Sequence, residues 1–203
     1  MASRILPVAS PGRELLGAAV IGGAVVYLSL GWIAAFPVIL VVLVLCVWFW
    51  DPAREIPSAP LGVVSPVDGE ILFVEKQGDP FLERESIHIA LRPSRLGSYS
   101  FRCPVEGKVH ELPGIENYPG RCAGVLIRTD EDNQVALVMR GYRFSPRPYV
   151  QPFGERAGQG QIWGNTRLIS KVDLYLEADA RVLAEPGQRV LSGTDLLAHL
   201  THD

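Results

Sequence analysis

From residue 15 to residue 50 the chain carries no Asp, Glu, Lys, Arg or His, whereas beyond residue 62 apolar residues come in short groups punctuated by glycine and proline. These two patterns predict two kinds of structure. An uncharged apolar run of the first kind is too long for a helix buried in a small globular core and approaches what two bilayer crossings need. Gly31-Trp32 and Pro37 interrupt the run, and glycine and proline are weak points of a helix, so it divides into residues 15–30 and 32–50. At about 1.5 Å per residue the two helices measure ~24 Å and ~28 Å, against a hydrocarbon core of roughly 30 Å. Two such helices form a transmembrane hairpin that returns the chain to its starting side. One long tilted helix, or a hairpin lying in one leaflet, satisfies the same pattern. Trp48, Phe49 and Trp50 then make an aromatic belt where the 1–50 anchor ends.

Residues 51–61, DPAREIPSAPL, hold three prolines and no period, which predicts a short, stiff linker. After it, the spacing of glycine and proline leaves room only for short strands, predicted at residues 69–74, 86–91, 107–112, 124–129, 134–140, 169–176 and 181–183. A series of this kind predicts a mainly β domain over residues 62–203, a sandwich or a barrel. In GQRVLSGTDLLA, residues 187–198, Gly187 and Gly193 bracket a short apolar alternation, and the segment resembles the closing hairpin of lipoyl/biotinyl-like barrel-sandwich folds. The resemblance implies that fold. It does not imply carriage of a group, because the segment has no lysine to bear one.

Charge adds an orientation. Arg4 and Arg13 precede the apolar run and Arg54 follows it, so the positive-inside rule places both ends in the cytoplasm. This predicts a bacterial-type inner (cell) membrane location with the β domain on the cytoplasmic side. A secretory signal would have a shorter apolar core and a small-residue cleavage site. The net charge of -3 is mixed in sign and gives no footprint for nucleic acid. Cys46, Cys103 and Cys122 are an odd number without close spacing, which predicts neither a disulfide framework nor a metal site.

Candidate chemistry lies in a set of motifs: Asp51-Pro52-Ala53-Arg54, Ser65-Pro66-Val67-Asp68-Gly69, the segment Ala90 to Pro104, Pro104-Val105-Glu106-Gly107-Lys108-Val109, and GERAGQGQIWGNTRLISKVDLYL over residues 154–176. In this order and spacing they resemble the short, membrane-anchored, pyruvoyl-dependent phosphatidylserine decarboxylases, over nearly the whole chain. The resemblance implies that Ser170, before Lys171-Val172-Asp173, attacks the carbonyl of the preceding residue. An ester forms, and β-elimination then breaks the chain into two fragments, α and β, with a pyruvoyl group on the new amino end. That group is an electron sink for decarboxylation, as pyridoxal phosphate is elsewhere. The resemblance also makes Asp68 the carboxylate that orients a histidine during self-processing.

Two positions depart from the family pattern. Counted back from Pro104, the histidine position falls on Tyr99, in a segment slightly longer than the usual form, and no histidine lies between Pro93 and Pro104. At the cleavage site, Ile169-Ser170, isoleucine stands where the family has glycine, and a β-branched residue confines the backbone and shields the carbonyl. His88 and His110 are the candidates for a replacement base. Trp163-Gly164-Asn165-Thr166 imitates the cleavage motif of longer relatives, but asparagine cannot make the ester and Lys171-Val172-Asp173 fixes the register on Ser170. Arg140 and Arg147 are candidates for bidentate contacts to lipid phosphate. The implied function is conversion of phosphatidylserine to phosphatidylethanolamine and CO2, with membrane phospholipid as partner and the oligomeric state, a homo-oligomer included, left open. The alternative is a catalytically inactive family member that stays uncleaved and binds lipid or a protein partner from the membrane. A third reading is a carrier-like β module.

Overall fold

The computed structural model describes residues 7–142 and 153–201. The chain divides into two compact units, Met1–Ala53 and Arg54–Asp203.

The first unit consists of two helices, α1 (Ser10–Leu30) and α2 (Trp32–Trp48). α1 starts ahead of the uncharged run because Pro11 occupies its first turn, where a missing N–H costs nothing and the ring pre-sets the backbone. Gly31, at φ +81, ends it and leads directly into α2, its N–H bonded to the Tyr27 carbonyl at 3.0 Å. Pro37 lies inside α2 without ending it. The helices run antiparallel and meet over glycines. A Cβ on Gly12 would stand 2.4 Å from Cγ of Phe49, and one on Gly23 would stand 3.1 Å from Cγ1 of Val38. Small residues that let backbones approach are the usual contact of apolar helices, which gain nothing by hiding from lipid. The N–H of Ala9 bonds to the Phe49 carbonyl at 3.0 Å, and that of Asp51 to the Pro7 carbonyl at 2.9 Å, tying the open end. Leu28, Ile33, Phe36, Leu40 and Val44 stay exposed, as on helices that are apolar all round. α1 is long and apolar enough to cross a membrane; α2 is shorter, at 17 residues.

The second unit is mainly β. Its first half contains β1 (Gly62–Val64), β2 (Gly69–Gly78), β3 (Glu85–Pro93), β4 (Ser100–Arg102), β5 (Gly107–Glu111), β6 (Cys122–Arg128) and β7 (Gln134–Gly141). The second half contains β8 (Arg156–Ala157), β9 (Ile162–Asn165), β10 (Ile169–Glu177), β11 (Arg181–Val182), β12 (Arg189–Val190) and β13 (Leu196–His199). The large sheet has the order β12-β2-β3-β10-β7-β6-β5-β8, and two smaller sheets are β1-β13-β11 and β4-β9. Every pairing among the described residues is antiparallel.

These sheets are open, which corrects the expectation of a barrel. The large sheet ends on β12 and β8, two-residue strands too short to carry its ladder round to closure. The sequence reads residues 187–198 as one hairpin, yet β12 pairs with β2 while β13 pairs with β1 and β11. The intervening turn is held elsewhere. The Gly193 N–H bonds to the Ser65 carbonyl at 2.7 Å, and both Gly187 and Gly193 have the positive φ that glycine tolerates.

One face of the large sheet carries the main core, including Ile71, Ile89, Leu91, Val125, Ile127, Leu137, Val172, Leu174 and Leu176. The other face carries a smaller cluster of Phe81, Leu112, Ala136, Val138 and Tyr175. β7 is therefore buried on both faces from Val135 to Met139, and its sequence is a continuous apolar run instead of an alternation.

Where β2 begins, the sheet leaves no room for a side chain. A Cβ on Gly69 would stand 2.2 Å from the Arg92 carbonyl oxygen, with no flexible group to give way. Gly69→Ala is expected to destabilise the detergent-solubilised chain by about 1–3 kcal/mol, read as a lower melting temperature. Gly78→Ala, in open space on the same strand, serves as the control; equal melting temperatures for the two variants would show that β2 and β3 can separate at Gly69 without cost.

Candidate functional site

Ser65–Gly69 forms a turn between β1 and β2, and the Asp68 carboxylate inside it is buried. Its Oδ2 accepts from the Ser98 N–H at 2.8 Å and from the Arg54 guanidinium at 2.9 Å, and its Oδ1 accepts from the Ser192 N–H at 2.7 Å. Three donors thus arrive from three distant parts of the second unit. An anion held by charge-assisted hydrogen bonds in a dry site is firmly fixed.

Ser98 leads to Tyr99, and Tyr99 to β4. There Ser100 pairs with Asn165 of β9, and Thr166 then binds back: its N–H bonds to the Tyr99 carbonyl at 2.8 Å and its Oγ1 donates to the Ser98 carbonyl at 2.8 Å. The Ile169 N–H in turn bonds to the Thr166 carbonyl at 3.0 Å. A short relay of backbone contacts therefore runs from Asp68 through Tyr99 to the Ile169-Ser170 bond. Burial raises the Tyr99 pKa, opposed by the charge of Arg167. The phenol stays protonated at neutral pH and is no general base in this state.

Ser170 occupies an irregular position. Along β10, Ile169 faces Gly141 and Lys171 faces Arg140, so Ser170 is the additional residue of a β-bulge. Its partly buried hydroxyl donates toward the carbonyls of Arg140 and Gly141, 3.0 and 3.2 Å away. The bulge also reverses the facing of the strand. In a regular strand Ile169 would share a side with Lys171 and Asp173, but here it is buried in the main core with Val172 and Leu174. The sequence signal for the bulge is Ser170-Lys171 itself, two polar residues side by side where an alternation allows one.

Beyond the bulge, Asp173 and Lys171 of the motif are joined by His88 and Arg140 in one cluster that the motifs do not foretell. Asp173 is fully buried, and its Oδ1 accepts from His88 Nε2 and Lys171 Nζ, both at 2.8 Å, while Oδ2 accepts from Arg140 Nε at 2.8 Å. The Gln77 amide faces His88 Nδ1, and the His88 ring stacks on Tyr175 with centroids 4.4 Å apart. Both ring nitrogens of His88 are engaged, so this histidine has none left for Ser170. His110 stands on β5 opposite Leu126. The Arg140 guanidinium also reaches the Tyr118 hydroxyl and lies over its ring, and Lys171 lies over the ring of Phe73 at 4.9 Å. Arg140 is thus engaged by protein groups while partly exposed. Arg147 lies outside the described residues.

Burial alone would raise the Asp173 carboxyl pKa, but hydrogen bonds from His88 and Lys171 and the charges of Lys171 and Arg140 bring it down to about 2. Burial would lower the pKa of Arg140, and Asp173 more than reverses this. Burial raises the Tyr175 pKa, which suits a ring used for packing. Among the described residues no group of His, Cys, Asp and Glu side chains is arranged to hold a metal ion.

Comparison with known proteins places the whole chain beside one set of relatives. It is 32% identical to the phosphatidylserine decarboxylase proenzyme of Cupriavidus metallidurans, covering 95% of each chain. It is 31% identical to the protein of that name from Cupriavidus taiwanensis, over 95% of each, and 31% identical to that from Nitrosomonas eutropha, over 94% of each. No family model matches the chain. Among solved structures, the glucose permease IIA of Mycoplasma capricolum superposes with a TM-score of 0.45 at 17% identity, over 68% of this chain and 94% of that one.

The Asp173 cluster has a pH signature. Its carboxyl pKa is about 2 in the folded chain against about 4 when unfolded. The stabilisation is therefore complete above about pH 4 and is lost as the pH falls toward 2. Asp173→Asn removes the buried anion that His88, Lys171 and Arg140 share and is expected to cost about 2–3 kcal/mol at neutral pH. Denaturation of both proteins across a pH series should show the gap narrowing through this acid window; a gap that stays constant would show that the variant lost something other than the carboxylate.

Proposed function

Because the chain belongs to the phosphatidylserine decarboxylase family, we propose that it is a membrane-anchored enzyme that releases the carboxyl group of phosphatidylserine as CO2 and leaves phosphatidylethanolamine. The observation that carries this reading is the bulge at Ser170. It sets the residue expected to mature outside the regular ladder, partly buried, next to a buried preceding residue. A group made from Ser170 fits this position, because a bulge can change its local backbone without unpairing the strands on either side. When present, a pyruvoyl group supplies the electron sink for loss of CO2.

The chain's own residues have separate tasks in this reading. Ser170 Oγ must turn from the carbonyls of Arg140 and Gly141 to the carbonyl of Ile169. Asp68, through Ser98, fixes the backbone at Tyr99 against Thr166. Arg140 and Lys171, both partly exposed beside the bulge, provide positive charge for an anionic headgroup, with Arg147 a further candidate. Without a histidine at position 99, proton removal from Ser170 lacks a positioned base, which typically costs about 10²- to 10⁴-fold. Maturation is therefore expected to be slow.

The anchor in this proposal is the helical hairpin of residues 1–50, followed by a linker over 51–61 and a decarboxylase domain over 62–203. Arg4, Arg13 and Arg54 favour cytoplasmic ends in an inner (cell) membrane. A lipoyl-like sandwich is the fold we favour for the domain, because its three antiparallel sheets all contribute to one main core.

Mass spectrometry of the purified full chain tests the proposal. The expected result is a carboxy-terminal piece of residues 170–203 with a blocked, hydroxylamine-reactive amino end, together with slow release of CO2 from phosphatidylserine, both abolished by Ser170→Ala. Combining Ile169→Gly with Tyr99→His should speed cleavage by restoring an open carbonyl and a base. An intact chain that never decarboxylates, even after long incubation, would sink the enzyme reading in favour of an uncleaved membrane-tethered lipid- or partner-binding protein.

A further inference from the structure

The segment between Pro93 and Pro104 makes a tight projection. The Ser94 N–H bonds to the Asp68 carbonyl at 2.7 Å, and the Gly97 N–H to the Ser94 carbonyl at 3.2 Å. A Cβ on Gly97 would stand 2.6 Å from Cβ of Asp68, so only glycine lets the turn sit so close. Arg167, reaching from the turn that leads into β10, donates to the Arg95 carbonyl at 2.7 Å and to the Gly97 carbonyl at 3.0 Å. At the tip of this braced turn Leu96 is 75% exposed, more than any other large apolar side chain in the described part of the second unit. Tyr142, 44% exposed, bonds through its N–H to the carbonyl of Leu168, the residue after Arg167, at 3.3 Å.

A frayed loop can leave a leucine in water for want of structure. This turn is pinned at both ends and in the middle, so its display of Leu96 is a property of the fold. The surrounding charge is positive: Arg95 is exposed at the tip and Arg167 braces it. Two acids of the adjoining segments are paired, Glu70 with Arg92 and Asp68 with Arg54. A protein partner calls for a broad apolar patch with a central anchor. One or two apolar side chains flanked by arginine suit a different surface, where the apolar group enters the acyl boundary and the guanidinium meets lipid phosphate.

We propose that the Arg95-Leu96 tip and Tyr142 form a membrane-contact surface for anionic bilayers, which sets the rim around residues 166–170 against the lipid headgroups. The proposal deepens the decarboxylase reading and rests on it, since a site acting on a phospholipid must meet the bilayer.

The test uses the full chain in vesicles, in a Cys46→Ala, Cys122→Ser background that keeps the buried Cys103. An environment-sensitive fluorophore is attached in Leu96→Cys or, as control, in Leu183→Cys, which replaces another exposed leucine. The vesicles are phosphatidylcholine with or without phosphatidylglycerol and carry a nitroxide-labelled lipid as quencher. Quenching at position 96 should exceed that at position 183 and rise with phosphatidylglycerol, and Arg95→Gln should reduce the membrane-contacting population roughly fivefold in anionic vesicles. Equal quenching at the two positions, or indifference to phosphatidylglycerol, would overturn the proposal. The readout needs no chain cleavage, so Ser170→Ala protein should give the same quenching. An uncleaved chain that is quenched at position 96 keeps the contact surface and loses the enzyme; a decarboxylating chain without that quenching does the reverse.

Discussion

The Asp68 carboxylate is the constraint on which the arrangement of the second unit depends. Its donors are Arg54, Ser98 and Ser192, so one buried anion joins the residues ahead of β1, the turn ahead of β4 and the turn between β12 and β13. The neighbouring backbone repeats the tie: Ser65 bonds to Asp195 and Gly193, Pro66 to Arg102 and Ser192, and Asp68 itself to Ser94. Removing the carboxylate would orphan two backbone N–H groups and a guanidinium in a region with little water to replace it, and an unmet buried donor costs more than a hydrogen bond ordinarily contributes. This is why a segment that makes no long strand of its own can fix the ends of several others.

A second constraint acts across the large sheet. Asp173 sits on the face opposite the main core, and its three cationic or hydrogen-bonding partners come from β3, β7 and β10. Buried carboxylates rarely add stability over an apolar residue of the same size, but they hold geometry, because every partner would be left uncompensated if the pairing slipped. Here the geometry held is that of Arg140 and Lys171, the pair that face each other on one side of Ser170 in the bulge. The cluster thus fixes the register on one side of the bulge, while the buried side chain of Ile169 fixes it on the other. Both side chains of the Ile169-Ser170 bond are spoken for, one by packing and one by the carbonyls of β7.

Much of this was legible in the sequence because it rests on local chemistry. An uncharged run broken at Gly31 leads to two helices, and glycine-punctuated alternation leads to short strands such as β3, β6 and β10. What stayed hidden depends on contacts remote in sequence. Neither His88 nor Asp173 announces a pairing across 85 residues, and nothing local tells that β12 and β13 join different sheets. The Ser170 bulge is intermediate: the doubled polar pair signals it, but only pairing against Gly141 and Arg140 shows which residue stands out. Arg167 and the Leu96 turn were missed because the brace uses backbone carbonyls, which any sequence possesses.

The same hydrogen-bond accounting bears on the histidine that the proposed decarboxylase reading expects at position 99. In triad chemistry a carboxylate accepts the imidazole N–H and so sets the tautomer and direction of the base. An ionised carboxylate offers about four lone-pair sites, and Asp68 uses two on Oδ2 and one on Oδ1 among the described residues. The anchoring role therefore does not exhaust its capacity. Position 99 follows the Ser98 N–H that already binds Asp68, and its carbonyl accepts from the Thr166 N–H, so its backbone is tied to the Asp68 turn. The scaffold that would orient a base consequently stands whether or not the residue there can accept a proton. Tyrosine occupies it with a phenol that is protonated at neutral pH, its pKa raised by burial, so in the proposed reading the frame is present and a proton acceptor is what position 99 lacks.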